Sequence, residues 1–234
     1  LLFFIDIPFL GDKFLLALFI SGTLNIIATI LYMKAIKYSD LSATVPMITF
    51  TPLFLLLTSP LIVGELPSIF GLVGVMLIVF GSYALNIKQM HEGYLAPFKA
   101  LLKESGPKLM LLVAFIWSVS SNFDKIGVQN SSPIFWVVAI NIFIATVMFP
   151  IALYKSQKNT QQIFGCYKTL FPIGLFSALV SVFQMTAISL TLVAYVISIK
   201  RTSVIMSVLF GYFIFKEKDI KEKIIGSIIM VIGV

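Results

Sequence analysis

The chain has 234 residues, of which 59% are hydrophobic and 12% charged, and its formal net charge is +7. Soluble domains contain about 45–50% apolar and about 25% charged residues, so this composition excludes an ordinary water-soluble fold. The lysines cluster between apolar runs, which is typical of charge beside a membrane and not of a nucleic-acid interface. One cysteine excludes an intrachain disulfide, and one histidine in a polar break argues against histidine catalysis. We therefore predict no metal and no cofactor.

The apolar runs predict an all-α integral membrane protein, because a helix of about 20 apolar residues crosses a bilayer. Residues 1–10 are too short to span and are interpreted as the stump of an earlier helix. About eight spans are predicted in chain order, at Phe14–Ile36, Leu41–Val63, Ile69–Ile87, Leu109–Val128, Pro133–Tyr154, Thr169–Leu190, Val193–Phe215 and Ile224–Val234.

Prolines mark the second of these spans as irregular. Pro46, Pro52 and Pro60 interrupt it, and the backbone carbonyls they free need neighbours or cavity water as partners. The sixth and seventh spans are nearly continuous, with only Thr191 and Leu192 available for a turn.

The sequence contains a weak internal repeat: a shift of 152 residues aligns Met33 with Met185. The identities at this shift are Met33 with Met185, Ala35 with Ala187, Ile36 with Ile188, Glu65 with Glu217, Gly74 with Gly226 and Gly81 with Gly233. We expect a first repeat at 1–87, a connection at 88–108 and a second repeat at 109–234. The same shift predicts that two N-terminal helices and the end of the last helix are missing. An inverted five-plus-five repeat follows, because an odd helix number inverts the second copy in the membrane.

Lys200 and Arg201 are adjacent cations inside an otherwise apolar run, and Arg201 is the only arginine. A charge near the bilayer centre costs about 2.5–3.5 kcal/mol on insertion scales, so such a pair indicates a cavity or a counter-ion. The planar guanidinium suits a carboxylate or phosphate. The candidate substrate-binding residues are Lys200, Arg201, Gln184, Trp117, Asn122, Thr44 and Thr49.

Each candidate also has a structural interpretation. Lys200 and Arg201 can extend toward an interface, although adjacent helical residues point about 100° apart. Trp117 can pack against apolar neighbours. The polar amides are expected to make interhelical hydrogen bonds more often than to bind a ligand; these amides are Gln184, Asn122, Asn25 and Asn141.

Asp124 and Lys125 lie in the last turn of their predicted helix, which favours a solvated pair at the helix end. Turned inward, Asp124 would pair with Arg201 when substrate is absent. Gly74 and Gly81 lie seven residues apart on one helix face, where they permit close approach of another helix. The residues assigned to gating or structure are Pro46, Pro52, Glu65, Glu217, Asp124, Lys125, Gly74, Gly81, Gly226 and Gly233.

The segments 32–83 and 194–234 resemble the two halves of an EamA-like member of the drug/metabolite transporter superfamily. The resemblance rests on the helices that end in Gly64-Glu65 or Lys216-Glu217 and on the glycine-containing helices that follow. It implies ten helices, a central cavity and alternating access without nucleotide hydrolysis. Lys200 and Arg201 also resemble the Lys-Arg pair of the triose-phosphate and sugar-phosphate translocators, where the pair binds substrate phosphate.

The function predicted is a secondary carrier in the plasma membrane for a small anionic or zwitterionic metabolite. A channel, a lipid scramblase and a membrane-embedded enzyme are the alternatives; the enzyme is disfavoured because the acids are scattered and no nucleophile–base pair is evident. Coupling to protons or a counter-substrate is possible, and a monomer or a homodimer is expected.

Two arguments about membrane orientation disagree. Nearly all loop lysines lie on the side of the 88–108 connection, which the positive-inside rule places in the cytoplasm. The resemblance implies that this connection lies outside. The charge count, which comes from this chain itself, is given precedence.

Overall fold

The computed structural model describes residues 8–38, 44–87, 105–156, 167–203, 206 and 228–233. Within these ranges the chain forms helices joined by short turns, and no strand occurs there. The elements are α1 (Phe14–Tyr38), a 3-10 helix (Val45–Phe50), α2 (Thr51–Ile62), α3 (Ile69–Ile87), α4 (Ser105–Gln129), α5 (Pro133–Ser156), α6 (Tyr167–Leu190) and α7 (Val193–Arg201), with further helical residues at 228–233.

The apolar character of these helices confirms the predicted all-α membrane fold. Four helical stretches of the described chain are long and apolar enough to cross a membrane, namely Phe14–Tyr38, Ser105–Gln129, Pro133–Tyr154 and Lys168–Leu190. Shorter apolar helices cover Met47–Ile62 and Ile69–Ser82. The inverted repeat and the total of eight spans stay predictions, because most residues after Arg201 lie outside the described ranges.

The second predicted span is interrupted, as its prolines indicated. Pro46 and Pro52 lie in the first turns of the 3-10 helix and of α2, where a missing N–H is harmless. Pro60 lies inside α2, which ends soon afterwards. The Ser59 carbonyl accepts the N–H groups of both Val63 and Gly64 at 3.0 Å. Gly64 has φ +79°, a backbone conformation that glycine adopts without steric cost.

The seventh predicted span, Val193–Phe215, is described only in part. It begins at Val193 after the expected two-residue turn, but α7 ends at Arg201. The Thr202 N–H and hydroxyl both donate to the Ile199 carbonyl, at 2.9 and 2.7 Å. This local side-chain bond competes with the regular helical pattern, which the sequence run alone does not reveal. Residue 203 is helical again, and 204–205 and 207–227 lie outside the described residues.

The chain divides into two compact units that do not coincide with the two predicted repeats. Unit 1 contains Leu1–Ile26 and Phe123–Thr191, and unit 2 contains Ile27–Asn122 and Leu192–Val234. In unit 1, α5 packs on α6. Aromatic pairs hold α1 to α5: the Phe14 ring lies 5.7 Å from the ring of Trp136 in an edge-on arrangement, which favours aromatic packing.

Unit 2 packs α7 against both α2 and α3, and α3 against the 3-10 helix. Its core contains small residues of α1 beside larger side chains of the 3-10 helix and α4, namely Ala28, Ala35, Met47, Met110 and Val113. A Cβ built on Gly74 of α3 would lie 2.5 Å from the Gly233 carbonyl oxygen, so the two backbones touch. The close approach predicted at Gly74 is therefore confirmed, whereas Gly226 lies outside the described residues.

Candidate functional site

Arg201 is held at the end of α7 by a hydroxyl of α2. Its Nη2 donates to Oγ1 of Thr51 at 3.0 Å. The Thr51 hydroxyl in turn donates to the Ile48 carbonyl of the 3-10 helix at 2.7 Å, so its lone pair faces the guanidinium. Both contacts lie within unit 2, where α7 packs on α2. The break between the 3-10 helix and α2 thus positions the single arginine.

The guanidinium of Arg201 also carries an N–H donor that lacks an acceptor among the described residues. Its Nε atom is buried and has no hydrogen-bond partner among the described residues. Guanidinium carries five N–H donors and no acceptor, so it needs acceptor atoms from elsewhere. A buried donor left unpaired costs about 1–3 kcal/mol, and more when the group is charged. The geometry therefore suits an added acceptor, either water or an anion.

Lys200 points differently from Arg201. The Lys200 side chain is exposed, whereas that of Arg201 is half-buried against α2. Both residues form the last turn of α7, where the partial negative charge of the helix C-terminus favours cations. This end effect offsets part of the cost of two adjacent charges. It supplies no partner for the buried Nε of Arg201.

The threonines predicted to bind substrate lie beside the 3-10 helix and are buried. Thr44 precedes that helix and is fully buried, and its hydroxyl has no hydrogen-bond partner among the described residues. Thr49 lies within the helix and is 4% exposed. A buried hydroxyl without a partner is uncommon in proteins, so Thr44 is a second group in unit 2 with spare hydrogen-bonding capacity.

Trp117 packs as an apolar residue in the structure. Its ring centroid lies 5.8 Å from that of Tyr32, and it borders the core cluster of unit 2. Gln184 lies half-buried on α6 in unit 1. Six of the seven candidate substrate-binding residues therefore belong to unit 2, and Gln184 belongs to unit 1.

Asn122 joins α4 to α2 through a buried polar network. Its carbonyl oxygen accepts from the Ser59 hydroxyl at 2.7 Å, and its amide donates to Thr58 Oγ1 at 3.0 Å and to the Ser118 carbonyl at 2.9 Å. Both amide hydrogens and one acceptor site are thus in use. The interhelical interpretation of this residue is confirmed.

The other two asparagines make bonds of a different kind. Asn25 donates to the Ser21 carbonyl at 3.0 Å and Asn141 donates to the Val137 carbonyl at 2.7 Å, each one turn earlier in its own helix. These two bonds are intrahelical, because an amide four residues along a helix reaches the preceding turn.

Glu65 caps the start of α7. Its Oε2 accepts the backbone N–H of Val193 at 3.0 Å, and the N-cap residue Leu192 makes no side-chain capping bond. Nearby, the Ser68 N–H donates to the Tyr195 hydroxyl at 3.1 Å. A carboxylate at a helix N-terminus satisfies orphan donors and matches the helix dipole. The turn between α2 and α3 therefore holds α7, and Glu217 lies outside the described residues.

Asp124 and Lys125 are buried, each 6% exposed, so the interpretation as a solvated pair is wrong. Asp124 accepts hydrogen bonds from the Ser21 hydroxyl and, at 3.3 Å, from the Trp136 indole. The Lys125 ammonium donates to the Thr191 carbonyl at 2.8 Å. The burial arises because α1, α5 and the end of α6 surround this end of α4, which helix position alone does not predict. The pairing of Asp124 with Arg201 stays a prediction.

A cleft of about 280 Å³ also opens in unit 2. Its lining is mostly apolar, and consists of Phe70, Gly71, Gly74, Val75, Ile78, Tyr195, Ser198, Ile199 and Gly233. The Ser198 hydroxyl donates to the Ala194 carbonyl at 2.7 Å, so it is already committed. None of the predicted substrate-binding residues lines this cleft.

Sequence reasoning missed several residues that complete these contacts, among them Thr51, Ser59, Ser21 and Trp136. Small hydroxyl residues in apolar helices give no individual signal, since most bond to their own helix. One feature of the sequence indicates Thr51. It directly precedes Pro52 at a predicted helix break, where backbone groups lose their helical partners and a neighbouring hydroxyl can bond to them.

A sequence model of the EamA-like transporter family matches residues 1–87 and 104–234 of the chain. No curated protein matches the chain.

Proposed function

The chain belongs to the EamA-like transporter family, and from this premise we propose that it is a secondary carrier of small anionic or zwitterionic metabolites. Alternating access moves the substrate, and Arg201 with Lys200 holds its anionic group. The family is one of membrane transporters and not of enzymes. The plasma membrane is the proposed location.

The buried Nε of Arg201 is the observation that carries this proposal. Thr51 fixes one arm of the guanidinium through Nη2, which leaves the fork pre-oriented. A carboxylate or phosphate accepts two parallel N–H bonds from such a fork, and these charge-assisted bonds are stronger than neutral ones. An anion would therefore satisfy a donor that has no partner among the described residues, and it would also neutralise the arginine.

Extension toward an interface explains Arg201 less well than anion binding does. A long cation that reaches for water keeps its head in water and buries only its stem. In Arg201 the head is anchored to Thr51 and its Nε is buried. Lys200, whose side chain is exposed, fits the interfacial interpretation better and contributes mainly by its charge. A cation in low permittivity attracts an anion strongly and repels a cationic drug.

Neutral groups of unit 2 supply the remaining recognition. The Thr44 hydroxyl, which has no hydrogen-bond partner in the part of the chain that the structure describes, offers both a donor and an acceptor. Thr49 lies one and a half turns further along the same segment, and Trp117 is the other proposed contact within unit 2. Asn122 contributes by holding α2 against α4 and not by its own spare bonds, since three protein groups already occupy its amide.

Alternating access requires segments that pack closely yet change partners. The Glu65 cap on α7 and the Gly74–Gly233 backbone contact are such junctions, and both support gating or structural roles for these residues. The repeat at a shift of 152 residues supports an inverted architecture, in which one half rocks against the other around a fixed site.

Counterflow in proteoliposomes of the full-length protein tests the proposal. Amino acids, organic phosphates and quaternary amines are compared side by side as trapped and external solutes. We expect saturable exchange of carboxylates or phosphates and none of quaternary amines. Flux that does not saturate would indicate a channel, and a new product inside sealed vesicles would indicate an enzyme.

A further inference from the structure

We propose that three exposed lysines at one end of unit 2 bind the headgroups of anionic phospholipids. Lys34 and Lys37 lie in the last two turns of α1 and Lys108 lies in the first turn of α4, and all three side chains are exposed. This lysine surface would bind a lipid and not the transported solute, so it is separate from the proposed carrier function.

The start of α4 lies beside the start of the segment formed by the 3-10 helix and α2. The Phe54 ring of α2 lies 5.5 Å from the Phe115 ring of α4. Further along both helices, the Ser59 hydroxyl donates to the Asn122 side chain at 2.7 Å. Contacts that advance together along two helices show that the helices run in parallel. Lys108 is therefore at the end of unit 2 where the 3-10 helix begins.

The end of α1 lies at the same end of unit 2. Only six residues separate α1 from the 3-10 helix. One buried cluster contains Ala35, Met47 and Met110, which belong to α1, the 3-10 helix and α4. Lys37 and Lys108 each lie two residues along the chain from a member of this cluster. The packing thus brings cations from two helices to one end of the unit.

On both helices the lysines continue an apolar stripe on the outer surface. Side chains spaced three or four residues apart share one helix face. The stripes are Ile27, Ile30, Lys34 and Lys37 on α1, and Phe115, Leu112 and Lys108 on α4, all of them exposed except the half-buried Ile30. In a membrane protein an exposed apolar stripe faces acyl chains, so a lysine at its end reaches the level of the headgroups.

Lys108 lies where its own helix disfavours a cation. The N-terminus of a helix carries a partial positive charge, and the first turn of α4 contains no acidic residue. A phosphate beside this turn would be attracted both by the ammonium and by the N-terminal N–H groups. An anion from outside the protein therefore accounts for a lysine that the helix alone does not favour.

The acids near these lysines in the sequence do not cancel their charge. Residues 39–43 and 88–104 together contain three lysines and three acids, so they add no net formal charge. In the part of unit 2 that the structure describes, the acid is Glu65, which caps α7 after the far end of α2. The lysine surface therefore remains cationic.

A phospholipid matches both parts of this surface. Its phosphate complements the lysines, and its acyl chains complement the apolar stripes that lead to them. A free phosphate would match the lysines alone. The continuity of each stripe from apolar to basic is the observation that favours a lipid.

Selective immobilisation of lipid by the full-length protein tests this assignment. The protein is reconstituted in phosphatidylcholine vesicles that contain a trace of spin-labelled phosphatidylglycerol or of spin-labelled phosphatidylcholine with the same acyl chains. Electron paramagnetic resonance gives the fraction of each label that the protein immobilises. We expect the wild type to prefer phosphatidylglycerol, and we expect high salt to weaken this preference because salt screens exposed charges.

The variants separate the lysine surface from other cations. Each Lys→Gln change should lower the relative affinity for phosphatidylglycerol by about fivefold at most. Lys34→Gln, Lys37→Gln and Lys108→Gln combined should therefore bring the two lipids close to equal immobilisation. The corresponding three changes to Arg keep the charge and should keep the preference. Lys13→Gln is the matched control, because Lys13 is exposed before the opposite end of α1.

Equal immobilisation of the two lipids by the wild type would overturn the lipid site, as would an undiminished preference in the triple Gln variant. If that variant does not fold, unchanged preference in both Lys37→Gln and Lys108→Gln overturns the site instead. Loss of the wild-type preference on addition of glycerol 3-phosphate at matched ionic strength would indicate a site for soluble phosphate and would overturn the lipid assignment. The measurement requires no transport, so its outcome is independent of the carrier function.

Discussion

Thr51 Oγ1 lies 3.0 Å from Nη2 of Arg201, although 150 residues separate the two in the sequence. This contact links the break in the second predicted span to the single arginine of the chain. It fixes where the guanidinium points and which of its donors stay available. The proposed anion site therefore depends on a neutral threonine as much as on the cation.

Replacing Thr51 by Val should weaken substrate binding. The substitution removes a hydrogen bond to a charged group, worth about 1.5–3 kcal/mol, so we expect KM to rise about tenfold or more. Thr51→Ser keeps the hydroxyl and should stay near wild type. Initial rates of counterflow at graded substrate concentration measure the change.

Thr146→Val is the matched control, because the Thr146 hydroxyl bonds only within its own exposed helix turn at the Ile142 carbonyl. We expect its KM to be that of the wild type. Equal KM values for Thr51→Val and Thr146→Val would show that Thr51 does not orient Arg201.

Asn122→Ala should destabilise the fold without changing substrate selectivity. It leaves the buried Ser59 and Thr58 hydroxyls without their amide partner, and a buried unpaired polar group costs about 1–3 kcal/mol. Thermal unfolding of the detergent-purified protein should therefore occur at a lower temperature. Asn141→Ala is the control, since Asn141 is exposed and bonds within its own helix. A direct role of Asn122 in binding would instead appear as altered selectivity at unchanged stability.

Gly74→Ala should be far more harmful than Gly174→Ala. The added Cβ at position 74 would lie 2.5 Å from the Gly233 carbonyl oxygen, whereas nothing lies within 4 Å of a Cβ at position 174. Backbone atoms cannot rotate away, so α3 and the 228–233 helix must separate. Lower thermal stability and lower counterflow are expected for Gly74→Ala alone. Similar behaviour of the two variants would argue against the backbone contact.

Glu65→Ala should loosen the start of α7. Removing a capping interaction costs about 0.5–2 kcal/mol, and the N–H of Val193 then lacks its carboxylate. Because the cap lies at the opposite end of α7 from Arg201, we expect the exchange rate to change more than KM. The exposed Asp12→Asn serves as the control. A large KM change with an unaltered rate would place Glu65 in substrate binding instead.

Several elements could be predicted from the sequence because they depend on local signals. The bounds of α3 at Ile69 and Ile87 were predicted as observed, since the Gly64-Glu65 break and a long apolar run define them. The interruption at Pro46 and Pro52 also follows from backbone chemistry, because proline lacks the N–H a helix interior requires.

The contacts of the candidate site could not be predicted in the same way. Glu65 accepts a bond from a backbone N–H, and such a partner carries no sequence signature. Asp124 lies near a helix end, where solvation is the ordinary expectation, and only the packing of α1 and α5 around it produces its burial. Thr51 is one threonine among several until α7 packs on α2 and brings Arg201 to it.

The most direct measurement is counterflow by the double variant Lys200→Gln with Arg201→Gln, beside Arg201→Lys and the wild type. Removing both charges eliminates the proposed anion site, so we expect transport of carboxylates and phosphates to be nearly abolished. Arg201→Lys keeps the charge and loses the planar fork, so its binding should weaken while transport stays detectable. Normal flux in the double variant, together with transport of quaternary amines, would show that the two cations do not bind substrate.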